Sequence, residues 1–279
     1  MRIFDTHFHF TGDAAPAEYL NRVEIDAARA LRALELPAEP LPELWLTSVG
    51  GDYLESVRAR EFAALAPRCR FAAGVHPHEA AAYLASREDF SIFRDDPLLV
   101  AVGELGLDYY YEMSDRVSQR AVFAEFLDLA LKWDRPAVVH LRDRDGADDA
   151  YRDALELLTP FSRGGGRFVV HCYAGSRDYL ERFLELGACV GVTGMATFRA
   201  ADNIRANLAL VPADRLLIET DSPYLAPVPF RGSENTPGLL ILAAAAAARG
   251  RGATLEELAE LTWRNAMDFF RIGGGGGDE

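Results

Sequence analysis

Eight short apolar runs, separated by longer amphipathic segments, dominate this chain and restrict it to a β/α architecture. The runs are Arg2–Thr6, Glu43–Val49, Arg70–Val75, Leu98–Gly103, Pro136–Val139, Arg167–Val170, Ala188–Val192 and Arg215–Thr220. Near-continuous apolar strands of this kind are buried on both faces, as a parallel sheet requires. Helical periodicity between them predicts helices over Glu18–Leu36, Tyr53–Leu65, Asp115–Trp133, Asp148–Leu158, Asp178–Leu186 and Asn203–Leu210. Two more, Gly238–Arg249 and Thr254–Phe270, follow the last run, and Thr254 with Glu257 forms a capping-box pattern. The 279 residues suit a closed (β/α)8 barrel of roughly 250 residues. The rival, an open doubly wound sheet, usually carries a glycine-rich phosphate loop after its first strand. Here the first strand runs instead into Asp5-Thr6-His7-Phe8-His9. The expectation is one α/β domain, a (β/α)8 TIM barrel over residues 1–272, with a flexible glycine-rich tail at 273–279.

Composition narrows the class. With 49% hydrophobic and 26% charged residues the chain can bury a large core unaided. Cys69, Cys172 and Cys189 show no CxxC spacing, so neither a zinc ribbon nor a disulfide framework is indicated. No apolar stretch reaches membrane-spanning length, and the chain opens directly into a strand rather than a signal peptide. A cytoplasmic protein with no membrane role and no obligate protein partner is expected. The net charge of −14 disfavours a broad basic face for nucleic acid. It leaves room for a local basic pocket, because a cleft can focus a field of its own.

Chemistry is concentrated where barrel active sites form, at the C-terminal edge of the strands. All six histidines lie there: His7 and His9, His76 and His78, His140, and His171. Glu104 follows the fourth strand and Asp221 the eighth. His7 and His9, two apart in extended chain, point the same way. Imidazole nitrogen and carboxylate oxygen are the donors that Zn²⁺, Mn²⁺ and similar ions use. Four histidines and two carboxylates exceed what one catalytic ion needs, so two divalent ions bridged by Glu104 are expected. A carbamylated lysine bridge is ruled out, because the only lysine, Lys132, falls on a helix. Taken singly, each residue has a plainer explanation: Asp221 as a helix N-cap, His78 facing away from the pocket, Cys172 as a buried small residue.

The motifs together resemble the TatD-type metal-dependent nucleases of the amidohydrolase superfamily. The resemblance rests on Asp5-Thr6-His7-Phe8-His9, Gly74-Val75-His76-Pro77-His78, Val102-Gly103-Glu104-Leu105-Gly106-Leu107-Asp108-Tyr109, Val139-His140-Leu141-Arg142-Asp143, Val170-His171-Cys172-Tyr173-Ala174-Gly175 and Glu219-Thr220-Asp221-Ser222-Pro223-Tyr224-Leu225-Ala226-Pro227. It implies His7, His9, Glu104, His140, His171 and Asp221 as metal ligands, with His76 and Arg142 near a bound phosphate. It also implies cleavage of DNA phosphodiesters, often from the 3′ end of a single strand. In the expected mechanism two ions activate a water and Asp221 takes its proton as general base. Arg142 suits phosphate because its fork engages two oxygens at once, the alternative being a surface pair with Asp143 or Asp145. Tyr109 to Tyr111 are placed to stack on a base or to pack under their loop. Arg231 and Asn235, beyond the last strand, are expected at the substrate's rim. The alternative function keeps the fold and metals but hydrolyses a small carboxylic ester, lactone, amide or aminoacyl-tRNA ester, a reading the acidic charge favours.

Overall fold

A computed structural model describes residues 1–273, so the expected glycine tail, apart from Gly273, lies outside the described residues. Eight parallel strands form one sheet in sequential order: β1 (Arg2–Phe8), β2 (Glu43–Val49), β3 (Cys69–Ala73), β4 (Leu99–Asp108), β5 (Ala137–Arg142), β6 (Phe168–Val170), β7 (Cys189–Val192) and β8 (Leu216–Ile218). Helices alternate with them as α1 (Pro16–Ala33), α2 (Tyr53–Leu65), α3 (Ala80–Ser86), α4 (Arg116–Trp133), α5 (Asp149–Arg163), α6 (Arg177–Glu185), α7 (Asp202–Leu208), α8 (Leu240–Arg251) and α9 (Leu255–Phe270). This is the (β/α)8 TIM barrel. Its last seam is joined beyond β8, where Asp221 N–H donates to His7 O at 2.9 Å and His9 N–H to Ser222 O at 2.7 Å. Two segments that carry pocket residues are thereby fixed against each other.

Alternation along the strands divides the core in two. One set, with Ile3, Phe71, Val139 and Phe168, packs under the helices. The other, with Phe4, Ala72, Val138, Val169 and Leu217, fills the barrel and meets Ala266, Phe269 and Phe270 of α9. The Phe4 and Phe270 rings lie 5.7 Å apart, so α9 plugs the end opposite the strands' C-terminal edge. α9 begins with the expected capping box, Thr254 and Glu257 each bonding the other's backbone N–H. Asn265 holds the helix to the approach to β8 by donating to Ala213 O and Leu216 O at 2.7 and 2.8 Å.

Glycine is required where strands crowd the pocket. Gly106 has φ +146°, and a Cβ there would lie 2.0 Å from His140 O, so only glycine lets β4 come this close to β5. Strand pairing shifts register between Val102 and Leu105, the stretch that contains Glu104. Among the described residues no helix is long and apolar enough to cross a membrane.

Candidate metal centre

Five histidines surround the buried Glu104 carboxylate at one end of the barrel, and His78 stands beside His76 with ring centres 4.3 Å apart. Glu104 Oε2 lies 3.5 Å from both His7 Nε2 and His9 Nε2. Its Oε1 lies 2.8 Å from His140 Nδ1 and 3.1 Å from His171 Nε2. One carboxylate thus divides its two oxygens between two pairs of imidazoles. Asp221 closes the first pair, with Oδ1 3.8 Å from His7 Nε2 and 3.6 Å from His9 Nε2.

The hydrogen bonds behind the rings fix which nitrogen faces inward. His9 Nδ1 donates to Val49 O at 2.9 Å, so Nε2 is the nitrogen it turns into the pocket, a lone pair whenever the ring is neutral. His171 Nδ1 donates to Glu219 Oε1 at 3.2 Å, with the same result. His140 is reversed: Nε2 meets Asp108 Oδ2 at 3.3 Å and Nδ1 faces Glu104. Glu219 reaches His171 because Gly191 leaves space; a Cβ there would lie 2.4 Å from Glu219 Oε1. Glu219 and Asp108 are the functional residues that sequence reasoning missed. Both stand inside quoted motif blocks, but nothing in a linear sequence shows which imidazole each one holds.

Electrostatics agree with a cation site. Burial acts to raise the Glu104 carboxyl, yet the imidazoles packed around it, His171, His76 and His7 foremost, hold it well below the ordinary range. Burial likewise acts on Asp221, and the His9 hydrogen bond together with the charges of His171, His7 and His9 outweighs it, leaving the pKa lowered. Burial lowers His7, whose ring is fully enclosed. At His9 the Asp221 and Glu104 interactions overcome burial and lift the pKa to about 9, so the ion-free ring holds a second proton beside those carboxylates, one that a bound cation would displace. The donor set fits divalent ions on geometry as well: His7 and His9 bring their Nε2 atoms to 3.1 Å, so both nitrogens face one point where a single ion could take them together. Donor atoms of His7, His9 and Glu104, and of His7, His171 and Asp221, lie within 4.8 Å of one another.

The family described as TatD-related DNase matches residues 4–271. The chain belongs to that family. It is a metal-dependent hydrolase acting on ester bonds. A metal-dependent hydrolase of Escherichia coli strain K12, YcfH, is 37% identical over 203 residues, covering 72% of this chain and 74% of that protein. The 3′-5′ ssDNA/RNA exonuclease TatD of Pantoea vagans is 38% identical over 232 residues, covering 80% and 86%. Among solved structures, the Escherichia coli TatD homologue YJJV superimposes with a TM-score of 0.78 at 26% identity, covering 97% of this chain and 98% of that one.

In this TatD-family chain the residues expected around the substrate divide. His76 accepts a hydrogen bond at Nδ1 from His78 N–H, at 3.2 Å, so its neutral ring carries its proton on Nε2, 3.7 Å from Glu104 Oε1. Although His76 groups with Glu104 and His140 by distance, that proton makes it a donor into the pocket rather than a lone pair for an ion. His78 turns its Nε2 to Asp108 Oδ2 at 2.9 Å and braces the second shell of His140. Arg142 is exposed and, among the described residues, has no carboxylate within 4.0 Å; neither Asp143 nor Asp145 pairs with it. Its guanidinium carbon sits 4.4 Å from the Tyr110 ring centre and 4.7 Å from that of Tyr111. Arg231 is exposed on the loop after β8, stacked 3.7 Å over Phe198.

Two expectations are corrected. Tyr109 is fully buried, with its hydroxyl 2.9 Å from Asp153 and Arg116 over its ring, so it takes the second of its two expected places and packs beneath the loop. Asn235 is also buried, and its amide donates to Thr220 O and Tyr224 O at 3.0 and 2.7 Å. It pins the loop that carries Asp221 and Tyr224 instead of reaching a rim.

Glu219→Gln tests the orientation of His171. An amide that turns its NH₂ toward Nδ1 opposes the proton there and frees the ring to rotate. Divalent-metal affinity is expected to fall about 10–100-fold with the fold intact. Wild-type affinity by calorimetric titration would show that His171 needs no such partner.

Proposed function

We propose that this enzyme hydrolyses phosphodiester bonds of single-stranded DNA, removing nucleotides from the 3′ end. The observation that carries this reading is the division of Glu104 between two imidazole pairs, with Arg142, which has no carboxylate partner among the described residues, two positions beyond His140 on β5. His7, His9, Glu104 and Asp221 would hold one divalent ion, and Glu104, His140 and His171 a second. Bound divalent ions supply Lewis acidity and lower the pKa of a coordinated water. Asp221 accepts the proton of the attacking water; its side chain is 15% exposed against 4% for Glu104, so it is the carboxylate that solvent reaches. His76 Nε2–H and the Arg142 guanidinium donate to phosphoryl oxygens as charge grows on them. The end preference follows the TatD exonucleases of Pantoea vagans and Edwardsiella piscicida, at 38% and 36% identity.

The net charge of −14 favours the second reading, a small neutral ester, lactone, amide or aminoacyl ester, because a polyanion meets an unhelpful long-range field. A panel of a 3′-labelled oligonucleotide, an aryl ester, a lactone and an aminoacyl ester, each offered with Mn²⁺, Mg²⁺ or Zn²⁺, separates the two. Turnover on the esters with none on the oligonucleotide would overturn the nuclease reading. Arg142→Ala gives a finer test. Its KM for the oligonucleotide is expected to rise about ten-fold, and the slope of log affinity against log salt to become shallower by about one. An unchanged salt slope would remove Arg142 from phosphate contact.

A further inference from the structure

Three tyrosines stand exposed at the mouth of the barrel on two sides of the histidine cluster. Tyr224, on the loop after β8, is 62% exposed and stands edge-on to His9 with ring centres 6.3 Å apart. Across the pocket, Tyr110 and Tyr111 are 43% and 52% exposed, and Tyr111 stands edge-on to His78 at 5.7 Å. Tyr224 is thus one ring away from a candidate ligand, and Tyr111 one ring away from His78, which shares Asp108 with His140, on the other flank.

Neither surface hangs on loose chain. Asp108 Oδ1 accepts the backbone N–H groups of Tyr110 and Tyr111 at 3.0 and 2.9 Å, while its Oδ2 faces His78 and His140. A single carboxylate locates the tyrosine pair relative to the pocket. Tyr224 is held through its backbone, N–H to Asp221 O at 2.9 Å and O to the Asn235 amide at 2.7 Å. Backbones are fixed and rings are left in water, the reverse of what packing demands of tyrosine.

We infer that Tyr224 and the Tyr110–Tyr111 pair are stacking surfaces for unpaired bases, one on each side of the bond to be cut. Arg142 sits over both rings of the tyrosine pair, which stand at 81° to each other, and brings its N–H groups to the phosphate between two nucleotides. Any base offers a ring face, so such surfaces are tolerant of sequence, whereas bases inside a duplex have their faces covered. This inference rests on the phosphodiesterase reading above and names the features that restrict it to unpaired strands.

The test uses full-length protein and a single strand carrying a tetrahydrofuran abasic residue at the terminal or the penultimate 3′ position. Losing one stacked base is expected to raise the wild-type KM roughly ten-fold at each position. Tyr224→Ala should lose the penalty at one position only, and Tyr110→Ala with Tyr111→Ala at the other. Tyr224→Phe should restore it, since stacking needs the ring and not the hydroxyl. In EDTA, 2-aminopurine at each position reports binding without cleavage, its fluorescence quenched by wild type and left bright by the matching alanine variant. Cleavage with both abasic penalties unchanged in both alanine variants would overturn this inference alone. Failure of wild type to cut the unmodified strand would overturn the nuclease reading and this inference with it.

Discussion

Glu104→Gln is expected to leave a folded protein that holds little divalent metal and hydrolyses at most about one thousandth as fast as wild type. Residues that merely orient a metal ligand are worth about 10–100-fold in affinity. Glu104 faces His7 and His9 with one oxygen and His140 and His171 with the other, so its loss reaches both halves of the centre at once. The amide is nearly the same size, which keeps the packing of β4. Its NH₂ cannot accept, however, and must turn toward one of the two imidazole pairs, opposing any cation held there. Removing a negative charge also leaves the clustered histidines without their shared counter-charge. Metal content by elemental analysis after gel filtration, with circular dichroism to confirm the fold, decides the matter. A variant that retains near-stoichiometric metal and wild-type turnover would show that Glu104 bridges nothing.

The barrel was readable because its strands are apolar and its ligands polar. All eight strands stand where the apolar runs place them, and α2 coincides with its predicted bounds. The errors cluster where polar groups are buried. β1 runs to Phe8 and β4 to Asp108, past the predicted ends at Thr6 and Gly103, because His7 and Glu104 read as strand termini while both sit inside buried strand. α3 escaped notice because Ala80–Ser86 is short and lacks an amphipathic stripe, and α5 continues through Pro160 to Arg163. At the site, residue type and strand position were enough to assemble the histidines with Glu104 and Asp221. Partnership was not readable. Three consecutive tyrosines look alike in sequence, yet Tyr109 is drawn inward to Asp153 while Tyr110 and Tyr111 are turned out under Arg142. Asn235 likewise looks like any polar loop residue until the carbonyls it ties together are seen.

Asp221→Asn is expected to separate metal binding from turnover, which Glu104→Gln cannot do. Asp221 lies nearest His7 and His9, at 3.6–3.8 Å, with a His171 donor within 4.8 Å, and its replacement leaves the direct contacts of Glu104 with His140 and His171 in place. An asparagine can still present its carbonyl oxygen there, so most of the metal should remain. What it cannot do is accept a proton from the attacking water. General acid–base catalysis contributes about 10²–10⁴-fold, and the loss should appear in kcat with KM for the oligonucleotide nearly unchanged, since His76, Arg142 and the tyrosines are intact. The wild-type rate should also fall at low pH as Asp221 becomes protonated. Its pKa is lowered by the His9 hydrogen bond against the effect of burial, so that limb lies on the acid side of the ordinary aspartate range. In Asp221→Asn the limb should vanish while the residual rate persists. If kcat stayed within a few-fold of wild type with metal bound, another group would have to take the proton.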